Sequence, residues 1–157
     1  MAKNYNGVQI NQSPTIVEKA GAEIADVRNR IMKYDENGNV VLATAGTDIP
    51  VGIAIIEAGY NDISGVESGK VAANDEVDIL VKEMGVVLAG AAIKKGQEIT
   101  AGADGLAAVA ASGNYVLGIA LENGEADEYV AIQIAKYQKG SSPTASGGQM
   151  TEEEGEL

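Results

Sequence analysis

The sequence predicts an all-β chain: two pseudo-repeated β units forming a compact β-barrel or β-tulip-like domain, with one short helix allowed over 14–31. Three observations lead there. First, the same series of motifs occurs twice. Ala20-Gly21-Ala22-Glu23-Ile24 matches Ala89-Gly90-Ala91-Ala92-Ile93, Asn37-Gly38 matches Asp104-Gly105, and Val51-Gly52-Ile53-Ala54 matches Leu117-Gly118-Ile119-Ala120. Each copy then closes on an acidic pair and an apolar run, Asp75-Glu76 before Val77 to Val81 and Asp127-Glu128 before Tyr129 to Ile134. Two copies make an internal duplication rather than a solenoid, which needs about three repeats or more. Second, the apolar runs are short and alternating, the period of a half-buried strand. Third, 20 glycines punctuate them, as turns in a small sandwich or barrel require.

Taken in order, residues 1–16 lie outside the repeat and form a polar N-terminal arm rich in Asn and Gln, with Val8 and Ile10 alternating. Residues 14–31 carry two readings. Ser13 and Pro14 fit the start of a helix. The matching stretch Lys94-Lys95-Gly96-Gln97 reads as a turn entering a strand, which favours strand–turn–strand in both copies. Arg30 to Tyr34 and Val40 to Ala45 flank Asn37-Gly38 as a hairpin, because Asn-Gly tolerates positive φ. Asp104-Gly105 repeats that turn between Glu98 to Thr100 and Leu106 to Ala111. Val77 to Lys82 and Gly85 to Leu88 read as another hairpin around Glu83-Met84-Gly85. The closing strand places Tyr129, Ala131, Gln133, Ala135 and Tyr137 on one face and Val130, Ile132, Ile134 and Lys136 on the other. The duplicated domain spans 17–137, with copies at about 17–83 and 86–136 and an insertion at 58–74 in the first. Residues 138–157 have the composition of a flexible linker followed by an acidic tail.

Composition removes several classes of function. The 157 residues contain no Cys, His, Trp or Phe, which excludes zinc fingers, haem, iron–sulfur clusters and Cys–His or Ser–His nucleophiles. No catalytic residues, metal ligands or cofactor are assigned. The Asp35-Glu36-Asn37-Gly38 cluster lacks the ligand spacing of an EF-hand and reads as a turn. Lys94-Lys95-Gly96 lacks a phosphate-loop frame. Gly52 and Gly118, repeated at one place in each copy, mark a bulge or a close backbone crossing. A lysine-bearing carrier hairpin is not matched by Lys82-Glu83-Met84. Eleven basic against 23 acidic residues give a net charge of −12, which disfavours a nucleic-acid partner. No apolar run reaches the roughly 20 residues of a membrane helix, and the N-terminus has no signal-like segment. The expectation is a soluble protein made in the cytoplasm.

The order Asn39-Val40-Val41-Leu42-Ala43, Ala45-Gly46-Thr47-Asp48, Val51-Gly52-Ile53-Ala54 and then the strand and turn of Val77 to Gly85 resembles lambda-type head decoration proteins of tailed phages. The second half, from Ala89 through Gly118-Ile119-Ala120 to Ile134, resembles the wider capsid cement family. Together these cover residues 20 to about 136; the 58–74 insertion and the acidic tail depart from the pattern. The resemblance implies a non-enzymatic virion protein on the capsid exterior. Its partner would be the major capsid protein, and it would sit as a homotrimer at three-fold or quasi-three-fold sites, bridging subunits against internal DNA pressure. Another β-rich virion surface module, such as a fibre or adhesin component, is the alternative. Within that frame the arm, through Tyr5, Val8 and Ile10, is the expected capsid-binding element, adding a strand to a sheet edge.

Overall fold

The computed structural model describes residues 13–64 and 68–141. Among the described residues ten strands follow in order: β1 Thr15–Lys19, β2 Ile31–Tyr34, β3 Val40–Leu42, β4 Gly52–Ala54, β5 Glu76–Leu80, β6 Met84–Leu88, β7 Glu98–Ala101, β8 Ala107–Val109, β9 Tyr115–Ala120 and β10 Tyr129–Gln138. A single 3-10 turn, Ala103–Gly105, joins β7 to β8. Residues 14–31 hold no helix: β1 is followed by an irregular stretch that enters β2.

Two five-stranded antiparallel sheets result, ordered β1-β5-β4-β2-β3 and β6-β10-β9-β7-β8. The second order is the first with every strand advanced by one unit, so the sequence repeat is a repeat of topology. The irregular segments repeat as well. Ile24 and Val71 exchange backbone hydrogen bonds of 2.8 and 2.9 Å, as Ile93 and Gly124 do at 2.8 and 3.0 Å. Asn74 at φ 71° and Asp127 at φ 66° each donate their backbone NH to the carbonyl of the alanine that follows the first strand of their unit, Ala20 and Ala89. The structural match therefore pairs Asn74 with Asp127, one residue earlier than the acidic-pair alignment suggests. Between Ile55 and Val71 the first unit carries residues 56–70, where the second has Glu122 and Asn123 alone between Leu121 and Gly124.

Neither unit closes into the expected barrel. Only one parallel bridge spans the gap in each, Ala20 with Val40 and Ala89 with Ala107. β3 and β8 are three residues long and run on from that point rather than alongside the first strand, so no ladder grows there. The sheets stay open. The hairpin read around Glu83-Met84-Gly85 is also absent. β5 pairs with β1 and β4, β6 pairs with β10, and Glu83 at φ 71° turns the chain from one sheet to the other. Apolar runs flanking a glycine cannot distinguish a hairpin from a crossover between sheets.

Strand alternation explains how the units join. In β2, Met32 points into a cluster formed by the first unit alone, with Val40, Val77 and Ile79. Its neighbour Ile31 points the other way, and with Ala43 and Ile53 it enters the cluster of the second unit, beside Val87, Leu117 and Ile132. The β2–β4 part of the first sheet is thus buried on both faces. Backbone bonds cross the same seam, from Gly105 N to Ala43 O (2.7 Å) and from Tyr115 N to Gly46 O (2.8 Å).

Candidate interaction surfaces

The seam leaves a groove on the outside of the molecule. It holds about 450 Å³ and is lined by Asn29, Ile53, Ile55, Ile56, Glu57, Val86 and Tyr129. Asn29 fixes its floor. This residue sits at φ 57°, where the second unit has Gly96 at φ 89°, and its backbone NH donates to Ala54 O as that of Gly96 does to Ala120 O. An asparagine tolerates this backbone better than other non-glycine residues do. Its side chain adds what glycine cannot: Nδ2 donates to Val86 O at 2.9 Å, and the Asn29 carbonyl accepts from Leu88 N at 3.0 Å. Together they cover the outer edge of β6. Asn29 is 6% exposed, and its Oδ1 is buried with no partner among the described residues. The rim is apolar and open, through Ile56, Val86 and Tyr129.

A second surface surrounds the Ile49-Pro50 loop. Two grooves, of about 600 and 310 Å³, meet at Ile49, Pro50 and Lys136. Asp48 holds the turn that presents the loop. Its carboxylate takes Lys33 Nζ at 2.8 Å, Thr44 NH at 2.8 Å and Thr44 Oγ1 at 2.9 Å. Partial burial alone would raise this carboxyl; the Lys33 and Thr44 bonds outweigh it and hold the pKa at about 2. Asn114 makes the uncharged version of the same turn in the second unit, accepting from Ala111 NH at 2.9 Å. Lys136 donates to Val51 O at 2.8 Å, and burial pushes its ammonium below the usual lysine range.

Because the Asp48 pKa is depressed on folding, its contribution to stability is present above about pH 4 and lost as pH falls from there towards 2. Lys33→Met is expected to shrink the Asp48 part of that acid-side loss, measured as melting temperature between pH 5 and 2. An unchanged acid profile in the variant would mean that the pair contributes nothing.

The third surface is the outer edge of β1. Val81 NH donates to Pro14 O and Ala20 NH to Asp75 O, so Ile16 and Glu18 face β5 and the backbone groups of Val17 and Lys19 face outward. Val17 is also exposed through its side chain. Tyr34 reaches across the open mouth of the unit, donating from its hydroxyl to Glu18 Oε1 at 2.8 Å. At the far end of β10, Lys139 pairs with Glu98 at 2.9 Å and donates its NH to Asn114 O, so the chain stays tied down one residue beyond the strand.

Other motifs take up structural positions. Asp35 Oδ1 accepts from Asn37 NH at 2.8 Å and Asn39 NH at 2.9 Å, which makes its cluster a hairpin turn. The Lys94-Lys95-Gly96 stretch is a turn held by Gln97 Oε1 and Asn123 Oδ1. A Cβ at Gly52 would overlap Leu80 O, and one at Gly118 would overlap Gln133 O, so both glycines mark the close crossing of neighbouring strands. Among the described residues no three acidic side chains gather as a metal site. The predicted capsid-binding residues Tyr5, Val8 and Ile10 lie outside the described residues. The seam groove was not anticipated. Its one legible signal is Asn29 standing where the repeat has Gly96.

Fold and surface together define a duplicated two-sheet β scaffold with apolar grooves and an open strand edge. Among solved structures it is similar to the N base of head fibre gp8.5 of bacteriophage phi29, at a TM-score of 0.57 and 23% identity, over 77% of this chain and 92% of that one. No protein-family model matches the chain. No curated protein matches it either.

Proposed function

We propose that this chain is a structural virion protein that binds the outer surface of an expanded phage capsid and cements neighbouring capsid subunits against internal DNA pressure. The observation that carries this reading is the fold shared with a phage head-fibre base over nearly the whole of that base. The decoration-family order of motifs supports it, as does a site inventory made of grooves and an edge. The partner is the major capsid protein, engaged by a homotrimer at three-fold or quasi-three-fold sites on the capsid exterior after synthesis in the host cytoplasm. No cofactor, nucleic acid or membrane enters. Cementing is mass action: a ligand that binds only the expanded shell stabilises that shell by its binding free energy, multiplied over many copies.

In this reading the arm, through Tyr5, Val8 and Ile10, pairs with the capsid protein as an added strand. Pro14 O accepts from Val81 NH, so a clean test keeps Ser13 onward. The protein beginning at Ser13 is expected to melt within a few degrees of full length and to lose co-sedimentation with expanded heads. Unchanged head binding would remove the arm from the interface. Deleting residues 142–157 is expected to leave both melting and head binding intact. A cut before Lys139 removes its bonds to Glu98 and Asn114 and is expected to lower the melting temperature.

The phi29 neighbour is itself the base of a head fibre, which favours a second reading: a base that anchors a projecting fibre without reinforcing the shell. Heads with and without the chain, challenged by heat or by a chelator, separate the two. Cementing predicts earlier DNA release from bare heads, and anchoring predicts equal release.

A further inference from the structure

The two units differ in what covers the outer edge of their first strand. β1 and β6 occupy equivalent places, with Val17 matching Val86 and Lys19 matching Leu88 in register. In the second unit a single residue of the first covers that edge. Asn29 Nδ2 donates to Val86 O at 2.9 Å, and Asn29 O accepts from Leu88 NH at 3.0 Å. The corresponding groups of β1, Val17 O and Lys19 NH, have no partner among the described residues. Ile16 and Glu18 make the ladder to β5, so Val17 NH faces outward as well. The Val17 side chain is also exposed. Unpaired NH and C=O groups along an edge are a template for another strand. We propose that the outer edge of β1 takes an extended basic segment of the partner protein as an added strand, bonded to Val17 and Lys19.

Charge selects the occupant. Asp78 and Glu76 stand across from Val17 and Lys19 in the β1–β5 register, and both are exposed. Asp35 lies against Gly21, just past the end of β1. Lys19 is the one cation in β1 and β5. An added strand places the residue opposite Val17 two strand spacings from Asp78, about 10 Å, which a lysine or arginine side chain can bridge. A second copy of this chain is a poorer occupant. Its equivalent of Asn29 is Gly96, which has no side chain to donate, and copies carrying −12 each repel. In strand addition the main chain supplies affinity and alternate side chains supply the choice of partner. The inference rests on the capsid reading only for naming that partner as the major capsid protein.

Val17→Pro removes an outward NH and spares the bonds of Ile16 and Glu18 to β5, so it is expected to melt within a few degrees of the parent. Its co-sedimentation with expanded heads is expected to weaken by about tenfold or more. Val17→Lys keeps the backbone, repels a basic strand and is expected to weaken binding in the same direction. Hydrogen exchange supplies the local readout. The Val17 and Lys19 amides are expected to exchange freely in the free chain and to be protected on heads. In an NMR titration they are expected to shift with a short blocked peptide of alternating lysine and valine, and not with its glutamate–valine counterpart. Residues 1–12 carry Lys3 and no acid, so the arm is the competing occupant, and the chain beginning at Ser13 is measured alongside. Unchanged head binding in Val17→Pro, or β1 amides left open on heads, overturns the proposal and leaves the capsid reading intact. Amides already protected in the full chain and freed in the shorter one overturn it in favour of the arm. Equal response to both peptides, or none to heads and peptides alike, overturns it too. A β1 that answers the lysine–valine peptide in a chain that binds no heads would sink the capsid reading and leave this edge standing.

Discussion

Ile53→Ala is expected to destabilise both units together, by about 2–5 kcal/mol. Ile53 belongs to β4 of the first sheet, is 1% exposed, and packs into the cluster built around Val87, Leu117 and Ile132 of the second. Truncation leaves a cavity that neither sheet can collapse into alone. For a domain of this size the melting temperature should fall by roughly 5–15 °C while the transition remains single. Val77→Ala, in the cluster confined to the first unit, is the comparison. It too should melt in one step, because the first unit cannot unfold without exposing Ile31, Ala43 and Ile53 from the shared core. Two resolved transitions in either variant would mean that the units fold independently.

The next largest effects are expected at Gly52 and Gly118. Alanine at either places a methyl group against a backbone carbonyl of the adjacent strand, Leu80 O or Gln133 O. A carbonyl within a ladder cannot rotate away as a side chain can, so the strands must part. Each substitution is expected to cost about 1–3 kcal/mol or more. Gly38→Ala is a contrast of a different kind. Gly38 has φ 79° with nothing within 4 Å of its would-be Cβ, so the cost is backbone strain alone, about 1 kcal/mol. Chemical denaturation of the three variants should rank Gly38→Ala mildest. Equal, small losses at all three would remove close strand crossing as the reason for the repeated glycines.

Much of the fold was legible because turn chemistry is local. Asn37-Gly38 and Asp104-Gly105 carry the positive φ their hairpins need, and Gly38 and Gly105 do adopt it. The repeat was legible because equivalent turns recur in order; it favoured strand and turn over a helix at 14–31 and left the choice to the structure, which holds β1 and an irregular stretch there. What was not legible depends on where a strand goes next. Val77 to Leu88 has the composition of a hairpin, yet its halves enter different sheets. The open barrels follow from the shortness of β3 and β8, a matter of a few residues that propensity does not fix. The seam groove is least legible of all. It depends on Ile31 and Ile53 facing away from their own unit, and on Asn29, fifty-seven residues from Val86, capping that residue's carbonyl.

The proposed capsid role is tested most directly by cryo-electron microscopy of expanded phage heads assembled with this chain, compared with heads assembled without it. The account predicts additional density on the outer surface at three-fold or quasi-three-fold positions. That density should fit the two-sheet domain and touch more than one capsid subunit. Heads with no difference in outer density, or with the chain inside the shell or on a single subunit only, would contradict it.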